Sequence, residues 1–141
     1  MRRYFEYRHV VSFQETNLVG NVYYTRHLEW QGRCRELFLR EFAPEALELL
    51  RNGWTLVTVR CSCEYFAELF AFDEISVRMR LESLSQNRVT MQFDYVRLRN
   101  GREELAARGE QQVASMRRDG DRVVAAAFPP VLRDAVDRYS E

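Results

Sequence analysis

Hydrophobic positions change their spacing twice along the chain, dividing it into a first strand, a helical stretch and a meander of strands. Residues 4–13 read as the first strand, followed by a polar loop that ends near Gly20. Helical spacing runs from about Arg26 to about Phe42. Pro44 then suits the first turn of a second, short helix that ends near Asn52 and Gly53. Beyond Trp54 the period becomes two: Val57, Val59, Cys61, Cys63 and Tyr65 alternate with Thr58, Arg60, Ser62 and Glu64, which predicts that the first set shares one sheet face. Ile75, Val77, Met79 and Leu81 repeat the pattern against Ser76, Arg78, Arg80 and Glu82. Turn residues at Ser85, Gln86 and Asn87 lead to Val89, Met91, Phe93 and Tyr95. Asn100 and Gly101 lead to a last long strand from about Glu103 to Arg117, closed by Asp119 and Gly120. Phe128, Pro129 and Pro130 end the sheet region, and Val131 to Tyr139 predicts a terminal helix.

One long helix and about five antiparallel strands in this order predict an α+β fold in which a curved sheet wraps the helix, with residues 1–141 as one domain. A helix embraced in that way must be apolar over a wide arc. At about 100° per residue, Leu28, Trp30, Cys34, Leu37, Phe38, Leu39 and Phe42 cover roughly 200° of the circumference. Glu29, Arg33, Glu36 and Arg40 occupy the opposite face. Gln31 and Arg35 break the partition by projecting from within the apolar arc. An unpaired buried guanidinium is costly, so Arg35 is expected to face a carboxylate, a cavity or a subunit interface.

Composition narrows the chemistry. The 46% hydrophobic and 13% aromatic content suits a globular protein. Twenty-one basic residues balance 21 acidic ones, so the net field gives no reason to expect nucleic acid or an anionic membrane as partner. Every basic residue is an arginine, and without lysine there is neither Schiff-base chemistry nor a phosphate loop of the Walker type. No apolar run approaches the roughly 20 residues that span a bilayer, and the expected location is the cytoplasm. Cys34, Cys61 and Cys63, with two histidines, make neither a disulfide framework nor a zinc pattern, so no metal or other cofactor is expected. Cys61 and Cys63 are expected to be buried, reduced packing residues.

The densest chemistry lies in Asn17-Leu18-Val19-Gly20-Asn21-Val22-Tyr23-Tyr24, followed by His27-Leu28-Glu29-Trp30. This stretch resembles the active-site motif of hotdog thioesterases of the 4-hydroxybenzoyl-CoA thioesterase-like superfamily. There an Asp is followed three residues later by Gly, then by a valine and aromatic residues before the central helix. With Trp30-Gln31-Gly32-Arg33-Cys34-Arg35-Glu36 added, the chain is most similar to the thioesterases of enediyne polyketide biosynthesis.

The resemblance implies a hotdog domain and a set of roles. Asn17 stands where many relatives carry a catalytic Asp, Arg35 matches the helix arginine of the enediyne branch, and the Tyr24 backbone N–H takes the place that polarises the thioester carbonyl. An amide is neither a nucleophile toward a thioester nor a useful base. The implied mechanism is therefore positioning and electrostatic stabilisation, with water as nucleophile. Glu64, Glu36 and His27 stand as candidates for a base. Gly20, Val22, Tyr23, His27, Gln31, Glu64, Phe66, Leu69 and Phe70 complete the expected substrate-binding set, the aromatic ones either lining an acyl channel or packing between strands. The implied substrate is a polyene β-keto acyl thioester on the acyl carrier protein domain of an iterative polyketide synthase. The implied assembly is a homo-oligomer, a tetramer built as a dimer of dimers. A general acyl-CoA thioesterase and a non-catalytic acyl-binding hotdog protein are the alternatives.

Overall fold

A computed structural model describes residues 3–140. Its elements run β1 (Phe5–Val10), α1 (Arg26–Phe42), α2 (Pro44–Arg51), β2 (Trp54–Tyr65), β3 (Glu74–Ser85), β4 (Arg88–Arg99), β5 (Arg102–Asp119), β6 (Arg122–Ala125) and α3 (Pro130–Ser140). The strands form one antiparallel sheet in the order β1-β3-β4-β5-β2, with β6 folded back on the end of β5. Helix α1 lies across this sheet, touching β1, β2, β3 and β5, as the hotdog resemblance implies.

The boundaries of α1 coincide with the helical spacing, and physical causes are visible at both ends. Arg26 pairs with Glu29 and Arg33 with Glu36 on the outer face. Pro44 stops continuation into α2 by starting a new helix. The buried face consists of His27, Trp30, Gln31, Cys34, Phe38 and Leu39. Leu28, Leu37 and Phe42, assigned to the apolar arc from spacing, are only half-buried. On the sheet side Ile75, Val77, Met79, Met91, Phe93, Tyr95 and Val113 close the core.

Three sequence expectations need correction. The first strand stops at Val10 rather than continuing to residue 13, because a 3-10 turn at Phe13–Glu15 follows, stabilised by the Glu15 side chain accepting from the Ser12 N–H at 2.9 Å. The last long strand is followed by the short β6, which the spacing did not reveal. The third correction concerns β2, whose pairing with β5 shifts register between Thr58 and Arg60. Before the shift Trp54 and Leu56 face the core, and after it Cys63 does. Val57 and Val59 are 42% and 41% exposed and Cys61 is exposed too, so the supposed inward row lies largely open on an edge strand.

Candidate active site

The loop between β1 and α1 is laced to itself before it enters the helix. The Asn17 N–H donates to the Asn21 carbonyl at 2.8 Å, and the Gly20 N–H donates back to the Asn17 carbonyl at 2.9 Å. Gly20 has φ +97°, a left-handed conformation that a β-carbon would strain. The Val19 N–H donates to Asn17 Oδ1 at 3.0 Å. That bond fixes which way the Asn17 amide points: its oxygen is used within the turn, and its Nδ2 donates to no group among the described residues. Asn17 is thereby presented as a hydrogen-bond donor, a role an ionised Asp cannot fill.

Beside the loop lies a cavity of about 400 Å³, lined by Asn17, Asn21, Val22, Tyr23, Tyr24, His27, Tyr65, Phe66, Ala67, Glu68 and Leu69. The Tyr24 N–H, two residues before α1, donates to no group among the described residues, whereas the neighbouring Tyr23 N–H is taken by the Glu15 carbonyl at 3.0 Å. The Tyr24 carbonyl accepts from the Tyr65 hydroxyl at 2.7 Å.

Two buried polar groups in this wall lack partners among the described residues. His27 is 3% exposed and sits among the rings of Trp30, Tyr65 and Tyr95. Burial pushes its pKa down to about 4, against a smaller opposing influence from the nearby Tyr24 carbonyl, so the ring is neutral at neutral pH. Neither ring nitrogen completes a hydrogen bond among the described residues. Asn21 Nδ2 reaches Glu68 Oε1 at 3.4 Å, leaving Asn21 Oδ1 buried and unpartnered. Such groups are a site for a water or a polar substrate atom.

Arg35 is in a different place. It lines a second cavity with Phe38, Leu39, Leu56, Leu81, Val89, Met91, Val113, Leu132 and Val136, between α1, α3 and the sheet. Its Nη1 donates to Gln111 Oε1 at 2.7 Å, Gln111 Nε2 donates to Gln31 Oε1 at 3.3 Å, and Gln31 Nε2 donates to the Ser62 carbonyl at 3.0 Å. The intruding Gln31 is thus satisfied inside the protein, while the guanidinium meets a neutral amide instead of a carboxylate. Burial lowers its pKa, but an arginine remains charged. Gly109 makes room for this relay: a β-carbon there would lie 2.3 Å from Gln31 Nε2 and 2.9 Å from the Ser62 carbonyl.

Of the residues singled out from sequence, the first cavity gathers Asn17, Val22, Tyr23, Tyr24, His27, Phe66 and Leu69. Gly20 shapes the loop behind it, and Gln31 and Arg35 belong to the relay. Phe70 bridges to Asn21 through the backbone. Glu64 is exposed on β2, and Glu36 is exposed and paired with Arg33. Asn21, Tyr65, Glu68 and Gln111 were missed. Gln111 had a visible signal, a polar residue at an inward position two before Val113. Buried thiols offer no nucleophile, since Cys34 is pushed up to about 12 and Cys63 to about 11, chiefly by desolvation.

The chain matches the thioesterase-like superfamily over residues 11–136. It belongs to that superfamily. It is 49% identical to the dynemicin thioesterase, whose crystal structures concern induced fit and allostery on polyene binding, with 97% of each chain covered and a TM-score of 0.94. A putative esterase of Aquifex aeolicus is 33% identical over 92 residues, covering 65% of this chain and 70% of the esterase. A 4-hydroxybenzoyl CoA thioesterase variant, solved with 4-hydroxybenzoyl CoA, shares 15% identity and the fold, with a TM-score of 0.85 over 95% of this chain and 99% of that one. The chain is a thioester hydrolase of hotdog fold. Among the described residues no helix is long and apolar enough to cross a membrane.

Proposed function

We propose that this thioesterase releases a polyene β-keto acyl chain from the acyl carrier protein domain of an iterative enediyne polyketide synthase. The observation that carries this reading is the 49% identity, over nearly the whole of both chains, to a thioesterase studied with bound polyene. Two features of the site agree with it. The first cavity offers two free donors, Asn17 Nδ2 and the Tyr24 N–H, for a thioester carbonyl whose oxygen gains charge as water adds. The second supplies one cation, Arg35, among apolar side chains; its space of about 20 Å³ takes a group the size of a keto oxygen or a water, not an acyl chain.

Water is the nucleophile in this reading. It adds to the carbonyl carbon and loses a proton to solvent; the C–S bond then breaks with its electron pair on sulfur, and the thiolate takes up a proton from solvent to leave as a thiol. Stabilisation of the oxyanion replaces a catalytic carboxylate. The bare edge of β2, with Val57, Val59 and Cys61 exposed, supports pairing with a second copy of the chain. We read the assembly as a dimer of dimers.

Turnover of a β-keto acyl thioester on the carrier domain, followed by mass spectrometry beside its CoA analogue, tests the substrate. Faster release from the carrier is the expected outcome. Faster hydrolysis of the CoA ester would make this a general acyl-CoA thioesterase, and tight binding with no turnover of either would make it an acyl-binding protein.

A further inference from the structure

Glu15 lies two residues before Asn17, outside the wall of the first cavity, yet its carboxylate gathers more donors than any other near the site. Its side chain is 13% exposed. Oε1 accepts from His9 Nε2 at 2.7 Å, from the Ser12 N–H at 2.9 Å and from the Ser12 hydroxyl at 3.2 Å. Oε2 accepts from Trp30 Nε1 at 2.7 Å and lies 3.0 Å from His9 Nε2. The opposite ring nitrogen of His9 meets the Tyr7 hydroxyl at 2.9 Å, which orients the imidazole toward the carboxylate. One side chain thus joins β1 through His9, α1 through Trp30 and the start of the loop through Ser12.

The backbone of Glu15 extends the same corner to the chemistry. Its carbonyl accepts from the Tyr23 N–H, one residue before the free Tyr24 N–H. Thr16 bridges to Val22, and the Asn17 N–H bonds to the Asn21 carbonyl. The two sides of the loop are therefore laced directly downstream of Glu15, with Asn17 on one side and Tyr24 beyond the other.

We propose that Glu15 is the positioning residue of this site: by tying β1, the central helix and the loop into one corner, it sets where the Asn17 amide and the Tyr24 N–H lie relative to the thioester carbonyl. The proposal rests on the hydrolytic roles given above to those two groups. Glu15 does not itself take the water's proton, because both of its oxygens are occupied by donors. Burial by itself favours the protonated acid, yet the bonds from Ser12, His9 and Trp30 outweigh it and hold the carboxyl below its usual value. A misplacement of about 1 Å is enough to lower a rate by roughly 100-fold. A corner that only added stability would leave the rate of the folded enzyme alone.

The test measures kcat and KM on the carrier-bound β-keto acyl thioester, well below the Tm of each variant, for Glu15→Gln, Trp30→Phe and their double variant, with Asn17→Ala as reference. Glu15→Gln keeps the size of the side chain and removes one acceptor. The expected result is a kcat lower by roughly 10- to 100-fold with KM within about threefold, and a double variant no worse than the poorer single one, because both changes break the same bond. Wild-type kcat in Glu15→Gln, or losses that multiply in the double variant, would overturn the proposal. If Glu15→Gln does not fold, Trp30→Phe decides the matter, and unchanged kcat there overturns it equally. Wild-type kcat in Asn17→Ala would instead remove the catalytic reading on which the proposal stands. A loss in Asn17→Ala beside an unaffected Glu15→Gln would sink the positioning role alone.

Discussion

The two cavities along α1 handle polar groups in opposite ways. At the N-terminal end of the helix, small neutral groups are left short of partners: Asn17 Nδ2, the Tyr24 N–H, Asn21 Oδ1 and the ring of His27. Farther along the same helix a full positive charge is half-buried among apolar side chains, and its neutral relay of Gln111 and Gln31 is nearly saturated. Unpaired neutral dipoles leave bonding capacity for a group that arrives with the substrate. A half-buried cation with one amide partner leaves electrostatic potential, which acts over a longer distance where water is partly excluded. The comparison teaches that polarity along α1 is divided, with open neutral donors and acceptors at one end and a charge at the other.

Arg35→Met is the largest break to apply to that division. It removes the charge and keeps an unbranched chain in the apolar cavity. On the proposed roles kcat for the β-keto substrate falls by roughly 100-fold or more, while the free energy of unfolding in urea holds or rises by about 1 kcal/mol, because a poorly compensated half-buried charge is lost. A variant that unfolds more easily at wild-type kcat would show that the charge serves the fold.

The other cavity is probed by pH. An unfolded chain begins to protonate His27 as pH falls through its ordinary value near 6.5, while the folded chain resists down to about 4. The unfolded state therefore holds more protons in this window. Stability is full above pH 6.5 and falls by about 3 kcal/mol as pH reaches 4, levelling below it. Urea titrations of the wild type and His27→Phe across that range check the sign: the variant lacks this contribution to the slope, and identical slopes would place the imidazole in water.

Gly109→Ala is the smallest of the three changes. Its β-carbon meets the Gln31 amide and the Ser62 carbonyl, so the relay must give way, and a loss of about 2 kcal/mol in stability is expected. Activity toward β-keto acyl thioesters should fall more than toward acyl thioesters without the keto group if Arg35 loses its alignment through Gln111. An unaffected Tm would show that the relay has slack.

Much of this arrangement was legible in the chain itself. The span of α1 followed from apolar spacing and from Pro44, and the hairpin turns fall where Gln86, Asn100 and Gly101 adopt positive φ. The intrusion of Gln31 and Arg35 into the apolar arc was visible from helical periodicity, and so was the choice between cavity, carboxylate and interface for Arg35. The loop motif brought most of the first cavity with it. By contrast, the exposure of Val57 and Val59 depends on a register shift in β2, and a bulge has no fixed residue signature. Cys61 shares the face of Cys63 beyond that shift and is open because β2 is an edge strand.

Sequence alone determined the order of elements, the amphipathic helix, the superfamily and the substitution of an amide for a carboxylate at Asn17. These are local properties, written in the period of side chains and in a contiguous motif. Only the tertiary structure decided that Asn17 is turned outward as a donor, that Arg35 serves a cavity apart from it, and that Glu15 joins His9, Ser12 and Trp30. Each depends on directions of hydrogen bonds or on elements far apart in the chain, and a hydrogen bond exists only once folding has brought donor and acceptor into line.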